Sequence, residues 1–214
     1  MMVKTISLED FRKNYWERNA LAFVMPGGRD LLYCRYLNGE GNKRIKIFVS
    51  NGGIYFGFCG GAYYGSRFVE FSPHTPIEVI GERELGFFPS FAKGPVFKPY
   101  DYNSSQGACS VLIDPVGASL KPFHVYYNGG CFFEKAEFFP KIKILGRYHD
   151  LPQKSAAVIS CEVGEGIAFL SGVHMEYDPS TLKGQDPYLK AILSSLQRDN
   201  PERLYFLKKI IRFF

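Results

Sequence analysis

The most restrictive feature of this sequence is a cysteine that follows an apolar run and precedes small residues. The run Gly53-Ile54-Tyr55-Phe56 is typical of a buried β-strand, and residues 57–65 after it carry Cys59 among four glycines. A cysteine at the end of a buried strand can occupy a strained strand-to-helix turn, with its sulfur above the sheet and a helix N-terminus pointing at it. The pattern therefore predicts that Cys59 is a nucleophilic thiol on such a turn.

A second strand-like run, near the other end of the chain, places a histidine and a carboxylate two residues apart. Residues 166–170 are followed by Ser171-Gly172-Val173-His174-Met175-Glu176. A histidine at a strand end can accept the thiol proton, and a neighbouring carboxylate can fix the imidazole tautomer and stabilise its cation. Cys59, His174 and Glu176 are therefore predicted to form a triad in which a thiolate attacks a carbonyl carbon.

Two glycines after another apolar run offer backbone donors for the same chemistry. Residues 20–25 form a continuous apolar run that is stopped by Pro26-Gly27-Gly28. A plain tight turn is one interpretation of these glycines; at the carboxyl edge of a sheet their N–H groups also suit an oxyanion hole. We expect the N–H groups of Gly28 and Gly60, the residue after the nucleophile, to be the two donors.

Composition favours one folded domain, residues 1–214, in a reducing compartment. An apolar fraction of 46% with 16% aromatic residues excludes intrinsic disorder. No apolar stretch reaches the roughly 18 residues of a membrane span, and residues 1–20 contain no apolar signal-peptide core. Five cysteines without a C-x-x-C pair favour reduced thiols, so we expect a cytoplasmic protein with no membrane partner. The net charge of +5 is spread without a nucleic-acid motif, so no nucleic-acid partner is expected.

The order of predicted elements is typical of an α/β protein. We predict a strand at 3–6, a helix from Ser7 to near Trp16, a strand at 20–25, a helix at 40–50 and the strand that carries Cys59. This order favours a doubly wound, mostly parallel sheet with helices on both faces and its active site at the carboxyl ends of strands.

The remainder of the chain predicts an antiparallel elaboration of that sheet and two terminal helices. Short β-type runs separated by glycine, proline and aromatic residues occur at 77–80, 108–113, 123–127, 131–134 and 142–148. Residues 156–161 and 167–170 predict a hairpin, and helices are expected near 186–198 and 201–213. On the last helix, Leu204, Leu207, Ile211 and Phe214 are expected to dock on the sheet, with Tyr205, Lys208, Lys209 and Arg212 on the other face; a membrane-surface helix is the alternative.

The other cysteines and histidines are assigned structural roles. A lone cysteine in a glycine-rich turn is usually a small buried apolar residue, and only its strand and the distant His-x-Glu motif single out Cys59. Four cysteines lie in apolar surroundings, and three histidines lack metal-ligand spacing: Cys34, Cys109, Cys131, Cys161, His74, His124 and His149. No metal or organic cofactor is therefore expected.

An aromatic set is predicted to shape a pocket over Cys59. It comprises Tyr33, Tyr63, Tyr64, Tyr126 and Tyr127, together with Asn128. Such a pocket fits a small planar or partly apolar ligand, although packing in the core accounts for the rings nearly as well.

Taken in order, seven stretches of the sequence carry a family resemblance. They are Met25-Pro26-Gly27-Gly28-Arg29-Asp30-Leu31-Leu32-Tyr33-Cys34, Leu37-Asn38-Gly39-Glu40-Gly41-Asn42, Gly57-Phe58-Cys59-Gly60-Gly61-Ala62-Tyr63-Tyr64-Gly65-Ser66, Val69-Glu70-Phe71, Gly81-Glu82-Arg83-Glu84-Leu85, Tyr126-Tyr127-Asn128-Gly129-Gly130 and Ser171-Gly172-Val173-His174-Met175-Glu176. Over most of residues 18–180 the chain resembles the class I glutamine amidotransferase-like superfamily, and within it the N-terminal domain of eukaryotic biotin-protein ligases.

The resemblance implies a flavodoxin-like sheet, the triad of Cys59, His174 and Glu176, and Gly28 with Gly60 as oxyanion donors. The chain departs from the family at Tyr63, where active glutaminases usually have glutamine, so glutamine hydrolysis is not implied. The usual His-Pro-Glu reads His174-Met175-Glu176, which keeps both functional side chains. Relatives usually begin with a further strand and helix, so either the sheet is one strand short or the start of the sequence is misplaced. No Gly-Arg-Gly-Arg-type biotin-adenylate loop occurs.

The leading hypothesis is a stand-alone amidotransferase-like enzyme whose Cys59 attacks a small-molecule amide or acyl carbon. The alternative is a non-catalytic binding or regulatory module of the same fold, which acts on a biotin-protein ligase or another enzyme in trans. Selective reactivity of Cys59 distinguishes the two hypotheses.

Overall fold

A mixed β-sheet with helices on both faces forms the centre of the molecule. The structure, a computed structural model, describes residues 2–97, 99–117, 119–182 and 184–211. In chain order its helices and strands are α1 Leu8–Lys13, β1 Ala22–Met25, α2 Asp30–Leu37, α3 Glu40–Ser50, β2 Ile54–Phe58, α4 Gly60–Gly65, β3 Ser66–Phe71, β4 Val79–Glu82, β5 Phe88–Gly94, β6 Ala108–Pro115, β7 Phe123–Asn128, β8 Phe132–Phe133, β9 Ile142–Tyr148, β10 Ala156–Val163, β11 Gly166–Ser171, α5 Pro187–Arg198 and α6 Asn200–Ile211. None of the described helices is long and apolar enough to cross a membrane.

The sheet pairs its strands in the order β1-β2-β11-β10-β8-β5-β3-β4, and β9 and β6 extend it from β10 towards β7. Among the described strands, parallel pairing is confined to β1–β2, β2–β11 and β3–β5. The expectation of a mostly parallel sheet is therefore wrong, and the sheet is mixed. Short connections such as the one between β10 and β11 enforce antiparallel pairing, whereas parallel neighbours need long crossovers.

Strand β2 lies between two hydrophobic cores. Its Tyr55 belongs to the first core with Ile45 of α3, and its Phe56 belongs to the second core with Phe206 of α6. Because successive side chains of a strand point to opposite faces, both faces of β2 are buried. This double burial explains why β2 has no charged side chain, and why its one hydroxyl, that of Tyr55, donates to the Gly61 carbonyl at 2.9 Å.

The structure confirms several predicted elements and corrects others. Helix α3 and strand β9 have the predicted bounds, the β10–β11 hairpin is present, and the Ser7 hydroxyl caps α1 by accepting the Asp10 N–H. The predicted strand at 3–6 is wrong, because no neighbouring strand pairs with this β-prone stretch in the described residues. Helix α1 ends at Lys13 rather than near Trp16. Helix α2 and strands β3 and β5 were not predicted.

The two terminal helices are confirmed as α5 and α6, but α6 docks through a partly different face. Leu207 packs on the second core as expected, whereas Leu204 and Ile211 are exposed. The buried residues of α6 are Arg203, Phe206 and Ile210. The parts of the prediction that concern Arg212 and Phe214 lie outside the described residues. The docked face thus includes a charged side chain, Arg203, that an apolar pattern does not reveal.

Candidate functional site

Cys59 occupies the turn between β2 and α4 in a backbone conformation that L-residues rarely adopt. Its φ is 47° and its ψ is −104°. Its N–H donates to the Ser171 carbonyl at 2.8 Å, and its carbonyl accepts the N–H groups of Ala62 and Tyr63 at 2.9 and 3.0 Å. The side chain is 7% exposed, and its Sγ lies 3.4 Å from the Asn128 carbonyl oxygen. These contacts hold a buried thiol at the carboxyl end of β2.

Glycines after Cys59 allow α4 to pack directly on backbone. A Cβ on Gly61 would lie 2.1 Å from the Met25 carbonyl oxygen, and a Cβ on Gly60 would lie 2.2 Å from that of Gly28. Both distances are far below any real contact, so only glycine fits at these positions. The small residues that mark the turn in the sequence therefore bring the Cys59 turn against the 26–28 loop.

His174 lies beside Cys59 and is bonded to Glu176. The distance from His174 Nδ1 to Glu176 Oε1 is 2.7 Å, and the His174 N–H donates to the Tyr126 carbonyl at 2.8 Å. A Cβ on Gly27 would lie 3.4 Å from His174 Nε2 and 3.5 Å from Cys59 Cβ, so the free edge of the imidazole faces this glycine and the cysteine. The structure therefore brings together the three residues predicted as a triad.

The electrostatics of this group favour a charged imidazole. Burial lowers the pKa of His174, whose exposure is only 8%, but Cys59 and Glu176 raise it more, through charge and hydrogen bonding, to about 10. Such an imidazolium, held by a carboxylate and next to a thiol, can stabilise a thiolate and later donate a proton.

The two predicted oxyanion donors lie side by side. Gly28 has a φ of +133°, and the Tyr33 hydroxyl lies 3.1 Å from the carbonyl oxygens of both Pro26 and Gly27, which it steadies by donating a hydrogen bond. Within the described part of the chain, the N–H groups of Gly28 and Gly60 have no hydrogen-bond acceptor. Two free backbone donors next to a nucleophile are the geometry that an oxyanion requires.

The structure divides the predicted pocket residues into two groups. The Tyr64 hydroxyl bonds to the Asn42 side chain, and the Tyr127 hydroxyl donates to the Gly130 carbonyl and accepts the Val96 N–H. Both rings are completely buried by packing, which corrects their assignment as substrate-binding groups.

The other predicted pocket residues lie close to the cysteine. The Tyr63 hydroxyl donates to the Gly129 carbonyl at 3.1 Å, and the residue is 4% exposed. Asn128 presents its carbonyl to Cys59 Sγ, and its Oδ1 is buried without a hydrogen-bond partner among the described residues.

A loop at residues 99–107, here called the strap, contributes residues that the sequence analysis missed. The Tyr100 ring lies against Gly129, since a Cβ on that glycine would be 2.3 Å from Tyr100 Cε2. The Tyr102 ring packs on Tyr100 at 5.1 Å and carries the Arg29 guanidinium 4.4 Å above it. Burial, and to a smaller extent the charge of Cys59, raises the pKa of Tyr100. Beside the strap, a cleft of about 630 Å³ separates Tyr102 and residues 103–105 from the start of α5.

The remaining cysteines and histidines have local structural environments. Burial raises the pKa of Cys34, Cys109, Cys131 and Cys161. His124 and His149 each contact one aspartate, and no cluster of three or more potential ligands for a metal ion occurs in the described ranges.

A family model and a curated relative point to the same family. The family described as "Biotin-protein ligase, N terminal" matches residues 1–214. A biotin-protein ligase of Schizosaccharomyces pombe is 35% identical over 214 residues, which cover 98% of this chain and 32% of that protein. An uncharacterized protein of Chlamydia muridarum is 39% identical over 165 residues, 77% of this chain and 63% of that protein. The chain thus spans about a third of the yeast ligase and under two thirds of the chlamydial protein.

Solved structures give a weaker likeness. Gan42B, a GH42 beta-galactosidase from G. stearothermophilus, matches with a TM-score of 0.46 at 16% identity, over 76% of this chain and 20% of that chain. At this level the match carries no argument about fold or function.

Proposed function

Because the chain belongs to the family of biotin-protein ligase N-terminal domains, we propose that it is a cysteine-dependent amidase or acyltransferase of the same kind as the class I glutamine amidotransferases. The observation that carries this proposal is the joint position of three groups: Cys59 on its turn at φ 47°, His174 beside it, and Glu176 at 2.7 Å from His174. A flavodoxin-like, doubly wound ancestry for the sheet belongs to the same proposal. It is supported by the parallel order β1-β2-β11, with Cys59 directly after the middle strand.

The proposed reaction begins with attack by the Cys59 thiolate on the carbonyl carbon of a small amide or related acyl compound. The carbonyl π electrons move to oxygen, and the oxyanion accepts hydrogen bonds from the N–H groups of Gly28 and Gly60. His174 donates its proton to the leaving amine as the carbon–nitrogen bond breaks, which leaves a thioester on Cys59. His174 then removes a proton from water or another nucleophile that attacks the thioester carbon. The carbon–sulfur bond breaks, the acyl product leaves, and the Cys59 thiolate beside protonated His174 is restored.

Glu176 acts on the imidazole and not on the substrate. Its carboxylate receives the Nδ1–H of His174, which leaves Nε2 to exchange the proton with Cys59. Tyr63 lies where a glutaminase has glutamine, and its hydroxyl is already bonded to Gly129, so we expect a substrate other than glutamine.

Selective alkylation of Cys59 tests the proposal. Iodoacetamide labelling of each cysteine between pH 5 and 9, read by peptide mass spectrometry, is expected to show Cys59 reacting at least about tenfold faster than Cys109. His174→Ala is expected to abolish this difference. His124→Ala is the matched control, because His124 also contacts a carboxylate, Asp199 at 2.6 Å, and lies away from Cys59.

Equal labelling of Cys59 and Cys109 in the wild-type protein contradicts the proposal. The chain would then be better explained as a non-catalytic module that regulates a biotin-protein ligase in trans. Binding of the purified ligase to the wild-type chain and to Cys59→Ala is the experiment that follows that outcome.

A further inference from the structure

A buried arginine of α6 reaches the segment that carries the proposed base. Arg203 is 4% exposed, and its Nη1 donates a hydrogen bond to the carbonyl oxygen of Met175. Met175 is the residue between His174 and Glu176. Arg203 lies 27 residues after Glu176 in the chain, and no part of its side chain takes part in the chemistry described above.

The guanidinium is aimed by its own helix. Its Nε and Nη2 donate to Asn200 Oδ1 at 2.9 and 2.7 Å. The third guanidinium nitrogen, Nη1, is therefore directed at the Met175 carbonyl. Phe206 and Ile210, on the same face of α6, are buried in the second core. The arginine is therefore fixed to a packed element at one end and to the His174 segment at the other.

The His174 segment has little regular structure of its own. After β11 ends at Ser171, residues 172–178 form neither helix nor extended strand, apart from one isolated bridge between His174 and Tyr126. The peptide after Met175 sets the direction in which the Glu176 side chain leaves the backbone. Hydrogen bonds from charged donors are about twice as strong as neutral ones, so Arg203 holds this peptide more firmly than a backbone contact alone.

We propose that Arg203 is a positioning residue, which holds the Met175 carbonyl so that Glu176 stays on His174 and His174 stays on Cys59. The inference rests on the proposed function for its catalytic meaning. The positioning of His174 by Arg203 is a separate physical claim that can be measured without any substrate.

The direction in which the His174 pKa changes when Arg203 is replaced distinguishes a positioning role from a simple charge effect. His174 is faced by Cys59, Glu176, Tyr126 and Tyr177, while Asp178 and Asp186 lie near this group. Removing a nearby positive charge on its own favours the imidazolium and raises the pKa of His174. Releasing the segment instead separates His174 from Glu176 and Cys59, which lowers that pKa from about 10.

The experiment is an NMR titration of the His174 ring in the full chain between pH 5 and 11. Arg203→Met and Asn200→Ala are compared with the wild type; the second variant keeps the arginine charge and removes only the acceptor that aims it. Phe206→Leu is the control, since it weakens the docking of the same helix without touching Arg203. Thermal unfolding of all variants confirms that each is folded at the temperature of the titration.

We expect the His174 midpoint to fall by about one pH unit or more in Arg203→Met and in Asn200→Ala, and to stay within about 0.3 units in Phe206→Leu. Iodoacetamide labelling of Cys59 is expected to slow about tenfold in the first two variants only. A midpoint that rises or does not change in Arg203→Met, or that falls equally in Phe206→Leu, overturns the inference. If wild-type Cys59 reacts no faster than Cys109 while the midpoint still falls in both variants, the proposed function fails and the positioning role of Arg203 stands.

Discussion

At the scale of single residues, Cys59 is one of the few described non-glycine residues with a positive φ. A φ of 47° with a ψ of −104° lies outside the regions that side chains with a Cβ prefer, and such positions cost about 1–3 kcal/mol. The turn tolerates this cost because β2 and α4 are both packed on either side of it. The strain is the reason that the thiol leaves the sheet towards His174 instead of continuing the strand alternation.

The strain at Cys59 predicts an inverted order of stability for two substitutions. In an ordinary position alanine is about 0.5–1 kcal/mol more stabilising than glycine, because glycine loses more backbone entropy on folding. Glycine adopts this positive φ without strain. The free energy of unfolding of Cys59→Gly is therefore expected to be about 1 kcal/mol larger than that of Cys59→Ala. Urea denaturation measures both. Cys161→Gly and Cys161→Ala, at a buried position in β10, are the control pair, and there the alanine variant is expected to be the more stable. If the alanine variant is also the more stable at Cys59, the backbone of Cys59 is not strained.

The site residues that could be predicted are those whose position follows from neighbouring residues in the sequence. Cys59 follows β2 directly and His174 is the third residue after β11, so their place near strand ends could be predicted from pattern alone. Tyr64 and Tyr127 were assigned to a pocket because aromatic residues suit both pockets and cores, and only their contacts with Asn42 and Gly130 distinguish the two uses. Arg203 and the strap could not be predicted, because their contacts depend on how distant segments pack.

At the scale of elements, α4 approaches the sheet more closely than side chains allow. Gly61 touches the β1 backbone, and a methyl group there would lie 2.1 Å from the Met25 carbonyl oxygen. Gly61→Ala is expected to lower the free energy of unfolding by about 3 kcal/mol, since backbone must move to admit it. Gly41→Ala is the control: it lies in α3, its nearest neighbours are side-chain atoms at 3.3–3.4 Å, and its effect should stay within about 1 kcal/mol. Equal effects of the two substitutions in urea denaturation would contradict this packing.

The junction between α5 and α6 is tied to β7 by one aspartate. Asp199 accepts hydrogen bonds from Arg198 Nε at 2.7 Å and from the His124 N–H at 2.9 Å. These contacts, the Arg198 hydrogen bond first, hold the pKa of Asp199 well below its usual range. A lowered folded pKa means that the contribution is complete above the unfolded value of about 3.9 and is lost as the pH falls below it.

Asp199→Asn is therefore expected to cost about 1–2 kcal/mol at pH 7 and progressively less as the pH falls from about 4 to about 2. The free energy of unfolding in urea at a series of pH values provides the test. Asp150→Asn, which removes a carboxylate at an exposed position, is the matched control. A cost that stays constant down to pH 2 would show that the Asp199 charge does not hold this junction.

Whether a helix or strand could be predicted depends on how far apart in the sequence the residues that stabilise it lie. Helix α3 and the β10–β11 hairpin are specified by nearby residues, and both were predicted. Helix α2 has no side-chain cap, and its Asp30 is held instead by the buried Arg83, 53 residues away. Strand β5 contains Pro89, which argues against a strand, and it forms only because β3 and β8 lie beside it.

At the scale of the whole molecule, the two hydrophobic cores share one sheet. Strands β2, β10 and β11 contribute side chains to both cores, so neither core can lose its packing while the sheet between them stays intact. Trp16, the single tryptophan of the chain, packs on Phe23 and Phe48 at 4.9 and 5.1 Å and so reports on the first core. Phe206 lies in the second core, against Phe123 at 5.4 Å.

Because the two cores share strands, we predict that a destabilising substitution in one core also lowers the unfolding midpoint of the other. Phe206→Leu removes packing in the second core and is expected to lower the free energy of unfolding by about 1–2 kcal/mol. Because the shared strands join the two cores, the Trp16 fluorescence midpoint in urea should shift by the same amount as the midpoint from far-UV circular dichroism. If Trp16 fluorescence keeps its wild-type midpoint while circular dichroism shifts, the cores unfold separately, and the rigidity that we assign to the His174 segment through α6 would not extend to the Cys59 side of the sheet.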